Sequence, residues 1–481
     1  MYFITVHMSR NHVMRPSLNA IAFALLAATS AAARPPLPAP PALPDQYRNA
    51  ISVTGSLDAR WWQQFGDPQL DRMVDLALAG NLDIEMAAAR LETAAAALKA
   101  ARGARLPTLL ASGTAGIQQL SIEDQQGKLT SRIPGFTRTV ERYGLTSSAA
   151  WELDLFGGLS AASRAALARK AAAEAGVAGA RLTIAAEVCD AFIMARGLQA
   201  RLAVAHERLA TFDTLSQLVG ARAAGGVAAA VEADQVAASR AAASTAIPAL
   251  EAGLEVQFNR LDVLMGRAPG SAEREMGGGA IPAVPMVAAA DGPAALLSGR
   301  PDVVAAQRQV AANDANVAEA IAARYPRLTL SGFAGFLANG MTSLLTAGAV
   351  QLGAEAQISA PIFAGGRLRA QEAAARGRLR ESVAAYRQTA LLAVAEAEDS
   401  LSALTRNRQV ANQLDEARRA LLAAQARTHA AWQAGSLSLV DEIAVRRQRQ
   451  DAEEQAIIAR AEAARSAVTA FRALGGGWRA G

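Results

Sequence analysis

Gln351-Leu-Gly-Ala-Glu-Ala-Gln-Ile-Ser-Ala-Pro-Ile-Phe-Ala-Gly-Gly366 alternates for most of its length. Leu352, Ala354, Ala356, Ile358, Ala360 and Ile362 are apolar, while Gln351, Glu355, Gln357 and Ser359 lie between them. Period two over about ten residues, with polar groups confined to one side, predicts a strand with two unlike faces. After Gly366 the pattern changes. No proline interrupts the chain as far as Ala434, and Val394, Ala397, Leu401, Leu404, Ala411, Leu414, Ala417 and Leu421 recur at helical spacing. Such a seam predicts one very long helix packed in coiled-coil fashion, ~100 Å if continuous at 1.5 Å per residue.

The same strand-to-helix switch occurs earlier in the chain. Ala149, Trp151, Leu153 and Leu155 alternate with Ser148, Glu152 and Asp154, and a proline-free stretch then runs from Gly158 to about Arg222. The likeness is a repeat. An offset of 219 aligns Gly80-Asn-Leu-Asp83 with Gly299-Arg-Pro-Asp302, Arg105-Leu-Pro107 with Arg324-Tyr-Pro326, and Ser112-Gly-Thr-Ala-Gly116 with Ser331-Gly-Phe-Ala-Gly335. An offset of 209 aligns Gly226 with Gly435, Glu232 with Asp441 and Gly266 with Gly475.

The chain therefore divides into a signal peptide (1–33), a Pro-rich N-terminal segment (34–60), a first repeat (61–266), a linker (267–290) and a second repeat (291–478). Each repeat reads as helix, two strands and two long helices, with strands near 107–117 and 146–156, then 327–337 and 350–362. Pro107 and Pro326 stop the first helices, and Gly157-Gly158 and Gly365-Gly366 mark the return from strand to helix. Gly226 and Gly435 end the long helices, and Pro248 should interrupt the first return helix. Residues 328–354 carry no charge and could be scored as a membrane helix, but Asn339-Gly340 and the alternation on both sides favour a hairpin.

At the N-terminus, Arg10 and Arg15 precede the apolar stretch Ala20–Ala28, Ala31-Ala-Ala33 and a Pro-rich run. That order describes a cleavable export signal, with cleavage after Ala33 and Met1 or Met14 as the start; the apolar stretch is short for a membrane anchor. Net charge is +5, and the basic residues alternate with acidic ones, which argues against a nucleic-acid partner. One cysteine, Cys189, excludes an internal disulfide, and the scattered His7, His12, His206 and His429 offer no metal cluster. There is no Gly-x-Ser-x-Gly elbow or Walker loop, and Gly277-Gly-Gly279 leads into a proline-rich linker. The reading is of a non-enzyme without cofactor or metal.

Four strands cannot close a barrel in lipid, where an open sheet edge is forbidden and small barrels need about eight. Several subunits would have to share one, with the apolar face towards lipid and Glu152, Asp154, Glu355 and Gln357 towards water. Periodicity and length thus suggest an exported, oligomeric pore with coiled-coil walls.

Nearly the whole mature chain resembles the outer-membrane channels of tripartite efflux pumps, in particular the NodT-like branch. The motifs are Trp61-Trp-Gln-Gln-Phe-Gly-Asp-Pro-Gln-Leu70, Trp151-Glu-Leu-Asp-Leu-Phe-Gly157, Ile247-Pro-Ala-Leu-Glu251, Arg300-Pro-Asp-Val303, Pro361-Ile-Phe-Ala-Gly-Gly-Arg-Leu-Arg-Ala370 and Ala473-Leu-Gly-Gly-Gly-Trp478. The resemblance implies a mostly α protein with a membrane β-barrel: a homotrimer sharing a twelve-stranded barrel, with the long helices forming an α-barrel in the periplasm. It also implies an outer-membrane location and docking to a periplasmic adaptor and an inner-membrane transporter of the RND type.

By motif position, Gly435, Ser436 and Gly226 lie at adaptor-facing helix tips, and Val440, Asp441 and Glu232 at the periplasmic aperture. Ala444 stands where the family often has a second acid, so closure would rest on Val440 packing and one carboxylate ring. Asp441 and Glu232 also read as ordinary helix N-terminal acids, favoured there by the helix dipole. No cysteine lies near the cleavage site, so an N-terminal lipid is not supported; Cys189 reads as a packed thiol and Trp61 and Trp62 as packing residues. The expected function is passive conduction of drugs or other small solutes to the exterior. The exit duct of a type I protein-secretion system and an exported structural coiled coil are the alternatives.

Overall fold

The computed structural model describes residues 43–48, 58–123, 125–130, 132–225, 230–287 and 292–478. The signal peptide at 1–33, most of the Pro-rich segment, Gly226 and the last residues of the linker lie outside them. Along the chain come α1 (Pro68–Gly80), α2 (Leu82–Gly103), β1 (Thr108–Gln119), α3 (Gln125–Thr130) and β2 (Thr139–Leu153). They are followed by α4 (Gly158–Ala224), α5 (Ala230–Ser244), α6 (Ala246–Leu264), α7 (Ala272–Met276), α8 (Leu296–Gly299) and α9 (Pro301–Ala322). The chain closes with β3 (Arg327–Ala338), β4 (Val350–Ser359), α10 (Arg367–Gln433) and α11 (Leu439–Ala473). Among the described residues no helix is long and apolar enough to cross a membrane, and 328–354 forms the β3–β4 hairpin.

Two compact units emerge. One contains Ala94–Lys170 and Gln309–Val383, and its centre is a four-stranded antiparallel meander in the order β1-β2-β3-β4. The other contains the described residues of Pro40–Thr93, of Ala171–Arg308 and of Ala384–Gly481, and is helical.

The helical unit is built on close approach of small residues. Ala459 and Ala463 of α11 pack against Ala411 of α10, and a Cβ added at Gly197 of α4 would lie 3.2 Å from the Ala461 Cβ. The alanine excess of the sequence is what lets these backbones come together. Along α10 the buried line is Ala393, Ala397, Leu401, Leu404 and Ala411; Val394 and Leu421 are only half-buried and Ala417 is exposed. The expected seam thus had the right period, with Ala393 replacing Val394 and Ala417 falling outside as a straight helix drifts from a strict repeat. Trp61 stacks on Phe471 at 5.0 Å, and Trp62 is buried beside it. Cys189 is fully buried, and burial pushes its thiol well above the ordinary value.

The duplication is visible in contacts as well as in sequence. Asn81 donates from Nδ2 to the Leu264 carbonyl at 2.9 Å, and its counterpart Arg300 donates to the Ala473 carbonyl at 3.0 Å. Helix α6 ends with Gly266 at φ 71 and α11 with Gly475 at φ 88. A Cβ at either would overlap a carbonyl oxygen, that of Gly80 in one repeat and of Gly299 in the other. Each repeat therefore locks the end of its return helix onto the start of its own strand-leading helix, α2 in the first and α9 in the second. The return helix breaks at Thr245 in the first repeat, because Pro248 has no N–H to give the Ser244 carbonyl; α11 has no proline and runs on.

Two buried polar groups fasten the segment between the repeats. Asp262 accepts from the backbone N–H of Gly270, Ser271 and Ala272 at 2.7, 3.0 and 2.9 Å, and from the Ser271 hydroxyl. Burial alone would raise its pKa, but these bonds outweigh it and the net shift is downward. Arg196, 1% exposed, donates to the carbonyls of Met276 and Gly277 at 3.0 and 2.9 Å, with Phe192 beneath its guanidinium. Asp262→Ala is expected to lower the stability of this unit by about 2–3 kcal/mol at neutral pH, read as the thermal midpoint of helix loss. A carboxylate with a depressed folded pKa stabilises above its unfolded value of 3.8. That contribution is lost as pH falls below 3.8 through the folded value, so wild type and variant should converge in acid.

Candidate functional site

Paired residues in an antiparallel sheet share a face, so the register sorts every strand position. One face holds Leu109, Ala111 and Ile117 of β1, Leu145, Ala149, Trp151 and Leu153 of β2, Leu328, Leu330 and Phe336 of β3, and Val350, Leu352, Ala356 and Ile358 of β4. The other holds Thr108, Ser112 and Thr114, Thr146, Ser148 and Glu152, Thr329 and Ser331, and Gln351, Glu355 and Gln357. Of the charged strand residues, Arg142, Glu152, Arg327 and Glu355 are on this second face. Glu141 lies on the apolar side, beyond the point where β2 leaves β3 at Tyr143. Leu109 and Leu352, on the two edge strands, are 79% and 77% exposed, so the apolar face is uncovered to both edges of the sheet.

Aromatic groups mark the two ends of the apolar face. Trp151 donates from its ring nitrogen to the Arg105 carbonyl at 2.9 Å, and Phe156 stacks on Tyr325 at 4.9 Å. Tyr143, on the same face as Trp151, is eight residues away, ~27 Å along the strand. An apolar band about 25 Å tall between aromatic girdles is the pattern of a membrane barrel wall.

The strand ends differ from expectation. β2 begins at Thr139 rather than near 146 and stops at Leu153, before 156. Its early part has no alternation and is defined by pairing with β1. Asp154 therefore does not face the polar side of the sheet. It accepts from the N–H of Leu159 and Ser160 at 3.0 and 2.7 Å and caps α4. Partial burial raises its pKa, but the bonds from Ser160 and Leu159 bring it below the ordinary value. β4 ends at Ser359 rather than 362, because Pro361 cannot donate to a ladder.

The strand–helix transitions are built from the glycines and prolines singled out above. β1 starts directly after Pro107 and β3 directly after Pro326. Gly157, Gly365 and Gly366 have φ of 72, 55 and 80, and a Cβ at Gly158 would meet that of Ala322 at 3.2 Å.

At the far end of α10, Gly435 (φ 73) closes the helix: its N–H reaches Trp432 O and that of Ser436 reaches Ala431 O, both at 2.9 Å. This is a Schellman turn. Two residues later Ser438 opens α11 in a capping box: Asp441 N–H donates to Ser438 Oγ at 3.2 Å, and Asp441 Oδ2 accepts from the Ser438 N–H at 3.3 Å and from its hydroxyl at 2.6 Å. Both ends of the turn are thus fixed locally, which leaves Val440 65% exposed and Asp441 exposed. Glu232 is exposed in the first turn of α5; residues 226–229 before it lie outside the described part.

The sequence reading missed Glu442. It is 1% exposed, accepts from Arg446 at 2.6 Å and lies 3.3 Å from Nδ1 of His429. The Glu442–Arg446 spacing of one helical turn was a legible signal, whereas the approach of His429 depends on how α10 and α11 pack. Among the described residues no group of His, Cys, Asp and Glu is arranged to hold a metal ion.

The family model described as outer membrane efflux protein matches residues 73–267 and 293–476. The chain is 31% identical over 472 residues to the pyoverdine export outer membrane protein OpmQ of Pseudomonas aeruginosa, covering 96% of this chain and 97% of that protein. It is 30% identical over 353 residues to nodulation protein T of Rhizobium leguminosarum bv. trifolii, covering 72% of each. Among solved structures, the outer-membrane channel OprN superposes with a TM-score of 0.80 at 30% identity, covering 92% of this chain and 98% of that one.

Proposed function

This chain belongs to the outer membrane efflux protein family, and from that premise we propose how its parts work together. The protein is the outer-membrane exit duct of a tripartite efflux pump, passing small solutes outward. The observation that carries this reading is the open four-stranded meander with one apolar face and two unpaired edge strands, β1 and β4. In hydrocarbon every backbone N–H and C=O must be satisfied, so β4 of one copy must pair with β1 of the next until the sheet closes. Three copies of four strands give a twelve-stranded barrel with the Glu152 and Glu355 face inside.

Around that barrel the remaining assignments follow. The chain is exported by a cleavable leader, its apolar strand face meets outer-membrane lipid, and its long helices extend into the periplasm. The tips at Gly435-Ser436 meet the adaptor, behind which stands an RND-type transporter that supplies the energy. The duct conducts passively and catalyses nothing. The first test is mass and location: the purified protein in detergent should have three times the mature chain mass and be recovered from the outer-membrane fraction. A stable monomer, or soluble rods, would contradict the reading.

At the aperture, Val440 is the apolar contact and Asp441 the carboxylate, repeated by the three-fold axis, with Glu232 as a second acid. Asp441 also serves the cap, so two substitutions separate its roles. Asp441→Ala removes the carboxylate that accepts from Ser438 in the capping box, costing about 1 kcal/mol, and is expected to lengthen or enlarge single-channel openings. Asp441→Asn retains an acceptor for Ser438 and is expected to lower the preference for cations over anions instead. Unchanged currents in both variants would remove Asp441 from the gate.

A further inference from the structure

The hydrophilic face of the sheet has a defect. Apart from Val140 and Leu337, each near the hairpin end of its strand, two large apolar side chains stand on it, and the register puts both in one cross-strand row: Leu110, Ser148, Phe333, Gly353. Phe333 is 44% exposed, and its ring leans over Gly353, where a Cβ would lie 2.6 Å from Cε1. Its neighbours along the strand on the same face are Ser331 and Gly335, so nothing bulky covers the ring. Glu355 pairs with Ser331 and lies two residues beyond Gly353, which makes it the diagonal neighbour of Phe333. Such neighbours are ~7–8 Å apart, within reach of an aromatic side chain. Among the described residues Glu355 has no hydrogen-bond or ion-pair partner.

We propose that Phe333 and Glu355 form, once per subunit, a contact site on the lumen wall for organic cations that carry apolar groups. The proposal rests on the reading of this face as the lumen of a trimeric duct. A ring face attracts a cation through its quadrupole, and the adjacent carboxylate holds the charge. Small inorganic ions stay hydrated and gain nothing from the ring. Three-fold symmetry places three such sites at one level of the barrel, so a solute leaving one finds another across the same section. The wall would then retain amphiphilic cations briefly while passing simple salts freely.

Single trimers in a planar bilayer test this with tetrabutylammonium as the probe, added on the barrel side, away from the Asp441 aperture. Phe333→Ala and Glu355→Gln are each expected to weaken its block about fivefold, and Phe333→Ala to leave salt conductance in its absence unchanged. Phe333→Trp should retain the block. Phe333→Leu, which keeps apolar bulk without a π face, should lose it, which separates the ring's electrostatics from simple packing. Equal block in wild type and in trimeric Phe333→Ala and Glu355→Gln overturns the site. Absence of any current from folded wild-type trimers overturns instead the duct on which the site depends.

Discussion

Leu352→Arg is expected to leave no heat-resistant trimer in the outer-membrane fraction, whereas Gln351→Arg, one residue away, is expected to insert and trimerise as wild type. The two positions are adjacent in sequence and opposite in face: Leu352 pairs with Ala334 on the apolar side, Gln351 with Gly335 on the polar side. Leu352 also lies in the row midway between the Trp151 and Tyr143 rows, the centre of the apolar band. An arginine at the lipid midplane costs about 2–4 kcal/mol per chain, and a trimer bears that cost in every subunit. On the lumen side the same side chain stays in water, and its effect is on ion preference. Equal insertion of both variants would mean that the apolar face does not meet lipid.

Gly475→Ala is expected to cost about 4 kcal/mol or more, read as a large fall in the temperature of helix loss or as failure to accumulate. Its φ of 88 is a region that residues with a Cβ rarely occupy, and the added carbon would overlap the Gly299 carbonyl oxygen. Neither strain can relax alone. Gly475 closes α11 in a Schellman turn, with Gly476 N–H on Phe471 O at 2.9 Å, and a Cβ at Gly476 would press on Trp61. Gly377→Ala is the control. It lies within α10 with nothing within 4 Å of an added Cβ, and should be neutral or slightly stabilising.

Most of the fold was legible because alternation and duplication are local signals. The β4 pattern from Gln351 fixed a two-faced strand, and the repeat offsets then placed the other elements. What the sequence could not show depended on contacts between distant residues. Asp154 continued an alternating pattern and so read as a lumen residue, yet Gly157 turns the chain and brings the α4 N–H groups onto its carboxylate. The terminal glycine run was recognisable as a motif, but its reason is the Gly299 carbonyl, far away in sequence. The Leu110–Phe333 row was hidden for a related cause, since four separate strands must be brought into register before it exists. At the helix tip the sequence offered Asp441 correctly as a helix N-terminal acid, and the capping box gives it that place whatever further part it plays at the aperture.

The most direct measurement is single-channel current from purified wild-type trimers in a planar bilayer. Closure of one barrel by three chains predicts discrete current steps of uniform size, carried by cations in preference to anions. Folded, membrane-inserted trimers that pass no current under any voltage would contradict it.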